Sequence, residues 1–582
     1  MDRLILALLL TVAVATSCGP AGSTSADNGA GSSTPADGDW IVVRYESDPD
    51  TLNPINTATA NGRNALFGAN WSQVYETLLQ YDPDNKWSRT KALLAESYPE
   101  TSPDHLTYTF TIRRGIQWHD GEPLTAEDVV FSAKAVLCPG VDDAVVRSDY
   151  VDLIGAEIVD GRKVRFKMKQ PHYLNASKLG SLPVLPKHIF DRDRLLDNVG
   201  LEDVINTDNK TNASFQKFAS QFNQHPNNRK PVGTGPYKFE KWDTGQEITL
   251  VKNTGYWGTR PHLDKIVFKI IPDYTSALAA LKSGEIDFQP RLSTVQYAQQ
   301  TSGPAFDEKF AKARYPYPSY YYIGWNQERP FFRDKRVRQA LTMLLNRQQL
   351  IDTIRFGLAT ICSTAEFRPD SPDFNSDIKP WPYDPQRAVK LLDAAGWIDH
   401  DGDGLRDKDG VPFRFEFLAA SQNPLANQLI PIVTEEFRKA GIEVKERRLE
   451  FALLVDTLRD HRFDAALGSW VADLEVDPYQ IWHSSQSANR GSNFISFKNA
   501  EVDTLIENAQ TEFDPKKRKG AYRRLQEILH EEQPYAFLFF PLETAAYSKR
   551  FQNVTFVPAR PGYDLNTWFV PRPLQRFGIR TQ

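Results

Sequence analysis

The strongest constraint on the fold is an alternation of strand-like and helix-like segments in the second half of the chain. Such an alternation is typical of an α/β unit in which helices connect the strands of a largely parallel sheet. Ligands of these sheets bind at the carboxyl ends of the strands. The end of the last strand is therefore the first candidate binding site. The predicted strands are Phe413–Leu418, Ile442–Val444 and Phe463–Trp470, and the predicted helices are Leu425–Ala440 and Phe451–Leu458.

The residues around the end of this last strand suit a ligand. Gly468 and Ser469 are small, and small residues let a second backbone approach closely. Trp470 offers a flat apolar wall, and the carboxylate of Asp473 can receive a cation. An ordinary strand end that runs into a polar loop is the alternative interpretation.

Length and charge limit the classes of protein. A chain of 582 residues can form several domains or one large body with several lobes. The formal net charge of −5, with both signs mixed along the chain, provides no basic field for nucleic acid. We therefore expect no nucleic-acid partner.

The N-terminus is predicted to be an export signal. Arg3 precedes an apolar run from Leu4 to Ala15, which is too short for a permanent membrane span. The small residues before Cys18 resemble a bacterial lipoprotein cleavage site, with residues 1–17 as signal peptide and Cys18 lipidated. Residues 18–39 would then be the lipidated cysteine and a flexible tether rich in Gly, Ser and Ala. Secretion without an anchor is the alternative.

Local patterns predict several elements in the first half of the chain. Residues 40–45 and 106–113 have strand patterns, and the second of these alternates strictly between apolar and polar. Thr125 and Asp128 have the spacing of a capping box and predict a helix over residues 126–137. A second helix is predicted over residues 66–79. The Gly233-Thr-Gly235 segment is interpreted as a turn before a strand at 237–239.

Several short motifs, in order along the chain, resemble the family 5 extracellular solute-binding proteins of ABC importers. This family includes receptors for oligopeptides, dipeptides and nickel. One such motif would be weak, but the resemblance extends over roughly residues 40–571. The motifs include Val74-Tyr-Glu-Thr-Leu-Leu, Tyr108-Thr-Phe-Thr-Ile-Arg-Arg-Gly-Ile-Gln-Trp-His-Asp-Gly, Leu124-Thr-Ala-Glu-Asp-Val-Val-Phe-Ser, Val232-Gly-Thr-Gly-Pro-Tyr-Lys-Phe, Leu281-Lys-Ser-Gly-Glu-Ile-Asp-Phe and Arg336-Val-Arg-Gln-Ala-Leu.

The resemblance implies an α/β protein of the type II periplasmic-binding-protein (Venus-flytrap) fold, with two lobes and an extra domain inserted in the first lobe. The hinge would lie at the two chain crossings, near Gln289-Pro290 and residue 545. By motif position, lobe I comprises residues 40–79, 183–292 and 546–582, the inserted domain comprises 80–182, and lobe II comprises 293–545.

The resemblance also implies a function and a set of site residues. The expected function is capture of a solute, most simply a short peptide, for delivery to an ABC permease. An oligosaccharide or a metal chelate remains an alternative ligand. The protein would be an extracytoplasmic monomer, anchored through Cys18. In peptide-binding relatives a Trp-x-x-Asp places the aspartate against the peptide's α-ammonium, so the implied ligand residues are Asp473, Trp470, Ser469 and Val471, with Asp477 and Tyr322 as further candidates.

Catalytic and metal chemistry are not expected. No zinc-protease, serine-hydrolase or phosphate-loop motif occurs, so a secreted hydrolase is disfavoured. The stretch from Asp399 to Gly404 has the aspartate spacing of a calcium loop, but Gly410 occupies the position of the bidentate glutamate, and we interpret it as a polar turn. We expect His119 to form a loop hydrogen bond, Cys138 and Cys362 to be free thiols, and no cofactor to be bound.

Overall fold

The computed structural model describes residues 34–57, 73–85, 88–142, 145–472, 474–488 and 490–577. The predicted signal peptide, Cys18 and most of the predicted tether lie outside these residues, as does Asp473. In the described ranges, none of the helices has the length and apolar character required to cross a bilayer.

The described strands follow the chain in this order. They are β1 (Trp40–Tyr45), β2 (Leu79–Asp82), β3 (Ser88–Ala92), β4 (Glu100–Thr101), β5 (Thr107–Thr111), β6 (Leu153–Asp160), β7 (Lys163–Met168), β8 (Tyr237–Asp243), β9 (Glu247–Lys252), β10 (Lys265–Ile270), β11 (Phe288–Gln289), β12 (Phe310–Pro316), β13 (Ser319–Trp325), β14 (Ala359–Ile361), β15 (Asp407–Lys408), β16 (Val411–Pro412), β17 (Arg414–Ala420), β18 (Glu443–Leu449), β19 (Ala465–Val471) and β20 (Tyr535–Ser548).

The described α-helices are numbered in the same way. They are α1 (Ala126–Leu137), α2 (Val145–Ser148), α3 (Asn175–Gly180), α4 (Lys187–Phe190), α5 (Leu201–Ile205), α6 (Ala213–Asn223), α7 (Tyr274–Ser283), α8 (Pro304–Lys309), α9 (Lys335–Met343), α10 (Arg347–Ile354), α11 (Pro385–Ala394), α12 (Pro424–Lys439), α13 (Phe451–Arg459), α14 (Tyr479–Trp482), α15 (Ala500–Thr511) and α16 (Pro515–Glu532).

One large mixed sheet organises the molecule. Its strand order is β18-β17-β19-β13-β20-β11-β1-β10-β9-β8, and β12 and β14 also pair with β20. Strand β20 is central to this sheet. Its first residues, Tyr535–Phe539, pair with β13, whereas its last residues, Leu542–Ser548, pair with β12. A single strand thus links the two halves of the fold.

The predicted alternation of strands and helices between residues 413 and 470 is confirmed. β17 pairs in parallel with both β18 and β19. Helices α12 and α13 connect these strands, and their apolar faces pack into separate clusters on the two sides of the sheet. The prediction of an α/β fold class is therefore confirmed in the described chain.

A second sheet, with strand order β4-β5-β7-β6, lies within residues 80–182. Helix α1 packs against it, and α1 begins with the predicted capping box at Thr125 and Asp128. The apolar side chains of this region share one core cluster with β1, β9 and β10. The region predicted as an inserted domain is therefore packed firmly onto the first half of the large sheet.

The division into lobes and an inserted domain stays a proposal. Leu292, Phe306 and Phe310 pack with α7 in a cluster on the first half of the sheet. Tyr315 on β12 belongs to the large cluster of the same half. This packing favours a first crossing near Tyr317, between β12 and β13, in place of the boundary predicted at residue 293.

The helix predicted over residues 66–79 is wrong where the structure describes it. Residues 73–78 contain no helix, and β2 begins at Leu79. The carbonyls of Gln73 and Val74 accept hydrogen bonds from the backbone N–H groups of Tyr237 and Gly235, so they are used outside a helix. The interpretation of residues 233–235 as a turn before a strand is confirmed, since the chain bends over residues 234–236 and β8 begins at Tyr237. A Cβ at Gly233 would lie 1.9 Å from the Val74 carbonyl oxygen, so only glycine fits there.

The two remaining cysteines are free, as predicted. Cys138 ends helix α1, and Cys362 follows β14 in the other half of the sheet. Both are buried, and burial raises the pKa of each thiol above its ordinary range. The thiols are therefore unreactive core residues.

Candidate functional site

Four aromatic residues, Trp470, Tyr322, Phe494 and Tyr535, lie together at the end of β19, and we call them the aromatic wall. The ring of Trp470 stacks at 6.4 Å on Tyr322 and at 5.5 Å on Phe494, measured between ring centroids. The Trp470 Nε1–H donates to the hydroxyl of Tyr535, 3.2 Å away. Tyr322 in turn stacks on Tyr535 at 3.9 Å. Two stacked neighbours and one hydrogen bond thus hold the Trp470 ring in place.

An aromatic ring fills the space beside Gly468. A Cβ at Gly468 would lie 2.5 Å from Cζ of Tyr322, so this ring occupies the space that a side chain would need. Tyr322 and Gly468 are direct partners across β13 and β19. The close neighbour of Gly468 is thus the Tyr322 ring, and the approach of a second backbone stays a prediction.

The carboxyl end of β19 has one open edge in the described chain. All residues from Ala465 to Val471 pair with β13, but only Ala465 and Ala466 also pair with β17. From Leu467 to Val471 the strand is bonded on one side alone. Every second residue of an antiparallel strand directs its N–H and C=O groups away from its partner. This edge can therefore pair with an added strand.

The other predicted site residues lie on or near this edge. Ser469 is exposed and is opposite Tyr321, while Val471 is 43% exposed and is opposite Ser319. Tyr322 is buried, so it supports Trp470 and does not face solvent. Asp473 follows the strand by two residues but lies outside the described residues. The structure thus brings Trp470, Ser469, Val471 and Tyr322 together.

Asp477 contacts the region predicted as the inserted domain. Its carboxylate lies 3.1 Å from Nε2 of His172 and accepts hydrogen bonds from the Gln510 side chain and the Tyr479 backbone. Burial alone would raise the pKa of Asp477, but the hydrogen bond from His172 and the charge of Lys178 hold this pKa below its usual value. The carboxylate is therefore ionised and already has three donors.

A buried carboxylate that sequence patterns did not indicate lies behind the aromatic wall. Glu366 accepts a hydrogen bond of 3.0 Å from Nε1 of Trp482, and Trp482 packs on Tyr535. Burial raises the pKa of Glu366 to about 7. Tyr535 and Phe494 were also missed. Tyr535 begins the apolar run Tyr535–Phe540, which predicts a buried strand but not contact with Trp470.

The candidate metal ligands among the described residues lie elsewhere. In the described residues, the group with carboxylate, thiol or imidazole atoms close enough to share an ion is Asp399, Asp401 and Asp403, with these atoms within 4.8 Å of one another. All three are exposed and precede the amino end of β17, whereas Trp470 lies at the opposite, carboxyl end of the strands. The Asp399 carboxylate accepts the N–H groups of Gly402 and Gly404, as in a polar turn.

His119 forms the expected loop hydrogen bonds. Its Nε2 lies 3.0 Å from the Gly235 carbonyl oxygen, and its Nδ1 accepts from the Gly233 N–H. Burial lowers the pKa of His119 to about 4. The residue is a neutral connector between two loops.

Comparison with curated proteins identifies relatives of the same length. The chain is 32% identical over 592 residues to the oligopeptide-binding protein AppA of Bacillus subtilis, and this alignment covers 98% of each chain. It is 26% identical over 547 residues to the nickel-binding periplasmic protein of Escherichia coli, covering 89% of this chain and 94% of the relative.

Solved structures agree. The structure of B. subtilis AppA in complex with a nonapeptide matches with a TM-score of 0.71 and 31% identity, over 92% of this chain and 100% of that one. The substrate-binding protein CtaP of Listeria monocytogenes matches with a TM-score of 0.74 at 21% identity, over 92% of this chain and 100% of that one, which shows the shared fold.

A family model matches residues 89–492. This match covers most of the chain and includes β19 and Trp470. The predicted fold and the prediction of a binding protein in place of an enzyme are thereby confirmed. The chain belongs to family 5 of the bacterial extracellular solute-binding proteins.

Proposed function

We propose that this protein captures short peptides outside the cytoplasm and delivers them to an ABC permease. The observation that carries the proposal is the open edge of β19 beside the Trp470 ring. An extended peptide pairs with such an edge through its backbone, which gives affinity independent of its side chains. The similarity to an oligopeptide-binding protein over 98% of the chain supports the same ligand class.

In this proposal Asp473 receives the α-ammonium of the peptide. It follows the open edge by two residues, so a strand paired with Leu467–Val471 would present one terminus to it. The nearby Asp477 is bonded to His172, Gln510 and Tyr479, which supports Asp473 over Asp477 as the ligand's partner. Ser469 and Val471 would contribute backbone groups, and Trp470 would pack on the peptide.

A double-mutant cycle tests the role of Asp473. Truncation of one partner of a desolvated ion pair costs about 2–5 kcal/mol, roughly 30-fold to several thousand-fold in affinity. We expect Asp473→Ala to weaken binding of a nonapeptide pool with free N-termini by this factor. The same pool after N-acetylation should bind the wild type poorly and lose little more in the variant. Titration calorimetry measures all four combinations.

Two other outcomes are informative. If Asp477→Ala shows the coupling and Asp473→Ala does not, Asp477 is the ammonium partner. If neither couples and a panel of oligosaccharides binds, the ligand is a sugar stacked on Trp470. Native mass spectrometry of the protein as purified identifies a retained ligand directly.

We further propose that Cys18 is lipidated and anchors the protein to the cell membrane. The apolar run before Cys18 and the Gly- and Ser-rich tether after it support this anchor. Cys18→Ser should move the protein from the membrane fraction to the soluble fraction, as followed by immunoblotting. Wild-type protein found soluble outside the cell, with an unmodified Cys18 by mass spectrometry, would contradict the anchor.

A further inference from the structure

The chain segment that directly follows the candidate site is held by a loop from the other half of the molecule. Three consecutive residues, Glu475, Val476 and Asp477, follow Asp473 by only a few positions. Their partners are His172, Tyr173 and Ser177, which lie in or before helix α3. We call these six residues the interdomain latch.

The latch contains three direct polar contacts. Nε2 of His172 lies 3.1 Å from the Asp477 carboxylate. The Tyr173 hydroxyl donates to the Val476 carbonyl oxygen, and the Ser177 hydroxyl donates to the Glu475 carboxylate. Two of the three therefore involve a carboxylate acceptor, which makes them stronger than neutral hydrogen bonds.

His172 has a fixed orientation in the latch. Its Nδ1 accepts a hydrogen bond of 3.0 Å from the backbone N–H of Leu174. Nε2 must therefore carry the ring proton and donate it to Asp477. The backbone of the loop that contains His172 thus orients this side chain as a donor to the second half of the molecule.

Helices α15 and α16, in the second half of the molecule, add further contacts to Tyr173. The Tyr173 N–H donates to the Gln510 carbonyl oxygen at 2.8 Å. The Tyr173 hydroxyl lies 3.0 Å from that of Tyr522, and the Arg518 guanidinium lies 3.8 Å above the Tyr173 ring. Nearby, the rings of His105 and Phe513 stack at 3.6 Å. Tyr173 is therefore the centre of the contact.

The two sides of the latch belong to different cores. Ala176 and Leu179 of α3 pack in the cluster of the first half of the sheet, whereas Val476 and Tyr522 pack in a cluster of the second half. Strand β20 links these halves separately, through its pairing with β13 and with β12. A rotation about that link would separate the latch residues, so the latch forms only in the closed arrangement.

We propose that His172, Tyr173 and Ser177 are positioning residues which hold residues 475–477, and with them the end of β19 that carries Trp470, in the closed state. The region predicted as the inserted domain then sets the closing equilibrium in addition to the hinge. Any ligand seated beside Trp470 would be retained longer because the latch must open before release. The inference concerning peptide retention rests on the proposed function, whereas the latch itself does not.

The test compares Tyr173→Phe/Ser177→Ala with the wild type and with Tyr150→Phe. Tyr150→Phe is a matched control, since it removes a buried phenol hydroxyl that contacts Ser181 within the same half of the molecule. Two lost hydrogen bonds, each worth about fivefold in an equilibrium, should speed hydrogen exchange over residues 474–482 on the order of tenfold to thirtyfold. The radius of gyration of the ligand-free double variant should also increase.

A second arm measures dissociation of the nonapeptide pool. We expect faster release from the double variant by a similar factor, with the control unchanged. Unaltered exchange at 474–482 together with an unaltered radius of gyration would overturn the latch. If the wild type binds no peptide, the proposed function fails, and the exchange and scattering results still decide the latch. Should the double variant be unfolded by circular dichroism, Tyr173→Phe alone decides by the same readouts.

Discussion

At the scale of single residues, the carboxyl of Glu76 in the first half of the sheet joins distant parts of the chain. It is buried and accepts hydrogen bonds from Tyr256, Thr234 and Trp257 at 2.6, 2.8 and 3.0 Å. Burial raises the pKa of Glu76 to about 7, which exceeds the opposing effect of the three donors. Three segments that are far apart in the chain therefore meet at one proton-binding group.

This raised pKa predicts a pH dependence of stability. The folded state holds a proton that the unfolded chain, with a pKa near 4.5, releases earlier. The stabilisation is therefore fully present below pH 4.5 and is lost as the pH rises through about 7. Glu76→Gln imitates the protonated form, so its free energy of unfolding relative to wild type should increase by up to about 3 kcal/mol between pH 4.5 and pH 8.

Urea unfolding at several pH values measures this difference. Since Glu366 also has a pKa raised to about 7 by burial, the comparison must be between variant and wild type and not between pH values of one protein. Glu366 contributes equally to both proteins and cancels. Parallel pH profiles for the two proteins would contradict the assignment to Glu76.

At the scale of elements, the ends of three neighbouring strands are joined by one arginine. Arg550 follows β20, Asp39 precedes β1, and Asp287 precedes β11, and these strands are adjacent in the sheet. The Arg550 guanidinium contacts Asp39, and also Asp287 at 2.9 Å. The side chains of Arg550, Asp39 and Asp287 are only 5%, 0% and 3% exposed. The network ties the start of the folded body to its last long strand.

Removal of this arginine should be costly. Arg550→Ala removes the cation that contacts buried Asp39 and lies 2.9 Å from buried Asp287, and leaves Asp287 only Arg576 at 3.7 Å. Loss of such a partner typically costs about 3–5 kcal/mol. Arg524, which pairs with Glu501 on the surface, provides the control. Arg524→Ala should change the free energy of unfolding by less than about 1 kcal/mol. Chemical denaturation measures both, and equal losses would refute the special role of Arg550.

At the scale of the whole molecule, the sheet provides one bridge between its halves and the latch provides another. β20 pairs with β13 at one end and with β12 at the other, so the link between Pro316 and Ser319 is the natural site of bending. The latch joins the same two halves through side-chain hydrogen bonds. A ligand between them favours closure only through its higher affinity for the closed form.

Small-angle scattering tests this motion. The radius of gyration should fall when the nonapeptide pool saturates the protein, because the open members of the ensemble are depleted. Ligand-free protein measured after refolding from denaturant provides the reference without retained ligand. An identical radius at saturation would indicate a rigid, preformed site.

The sequence by itself determined the α/β class, because strand and helix periodicities are local and are visible in residues 413–470. It also determined the helix α1, its capping box, and the strand predicted at 463–470 and observed as Ala465–Val471, since each depends on residues close together in the chain. The family's motifs likewise identified a binding protein.

Only the tertiary structure decided which residues meet. The ring of Tyr322 lies against Gly468. The carbonyls of Gln73 and Val74 accept hydrogen bonds from residues in the 233–237 segment. Asp477 contacts His172, 305 residues away in the chain. No local pattern encodes such contacts, because they depend on how separate elements pack and on which buried polar groups find partners. The open edge of β19 is of the same kind, since it exists because β17 diverges after Ala466.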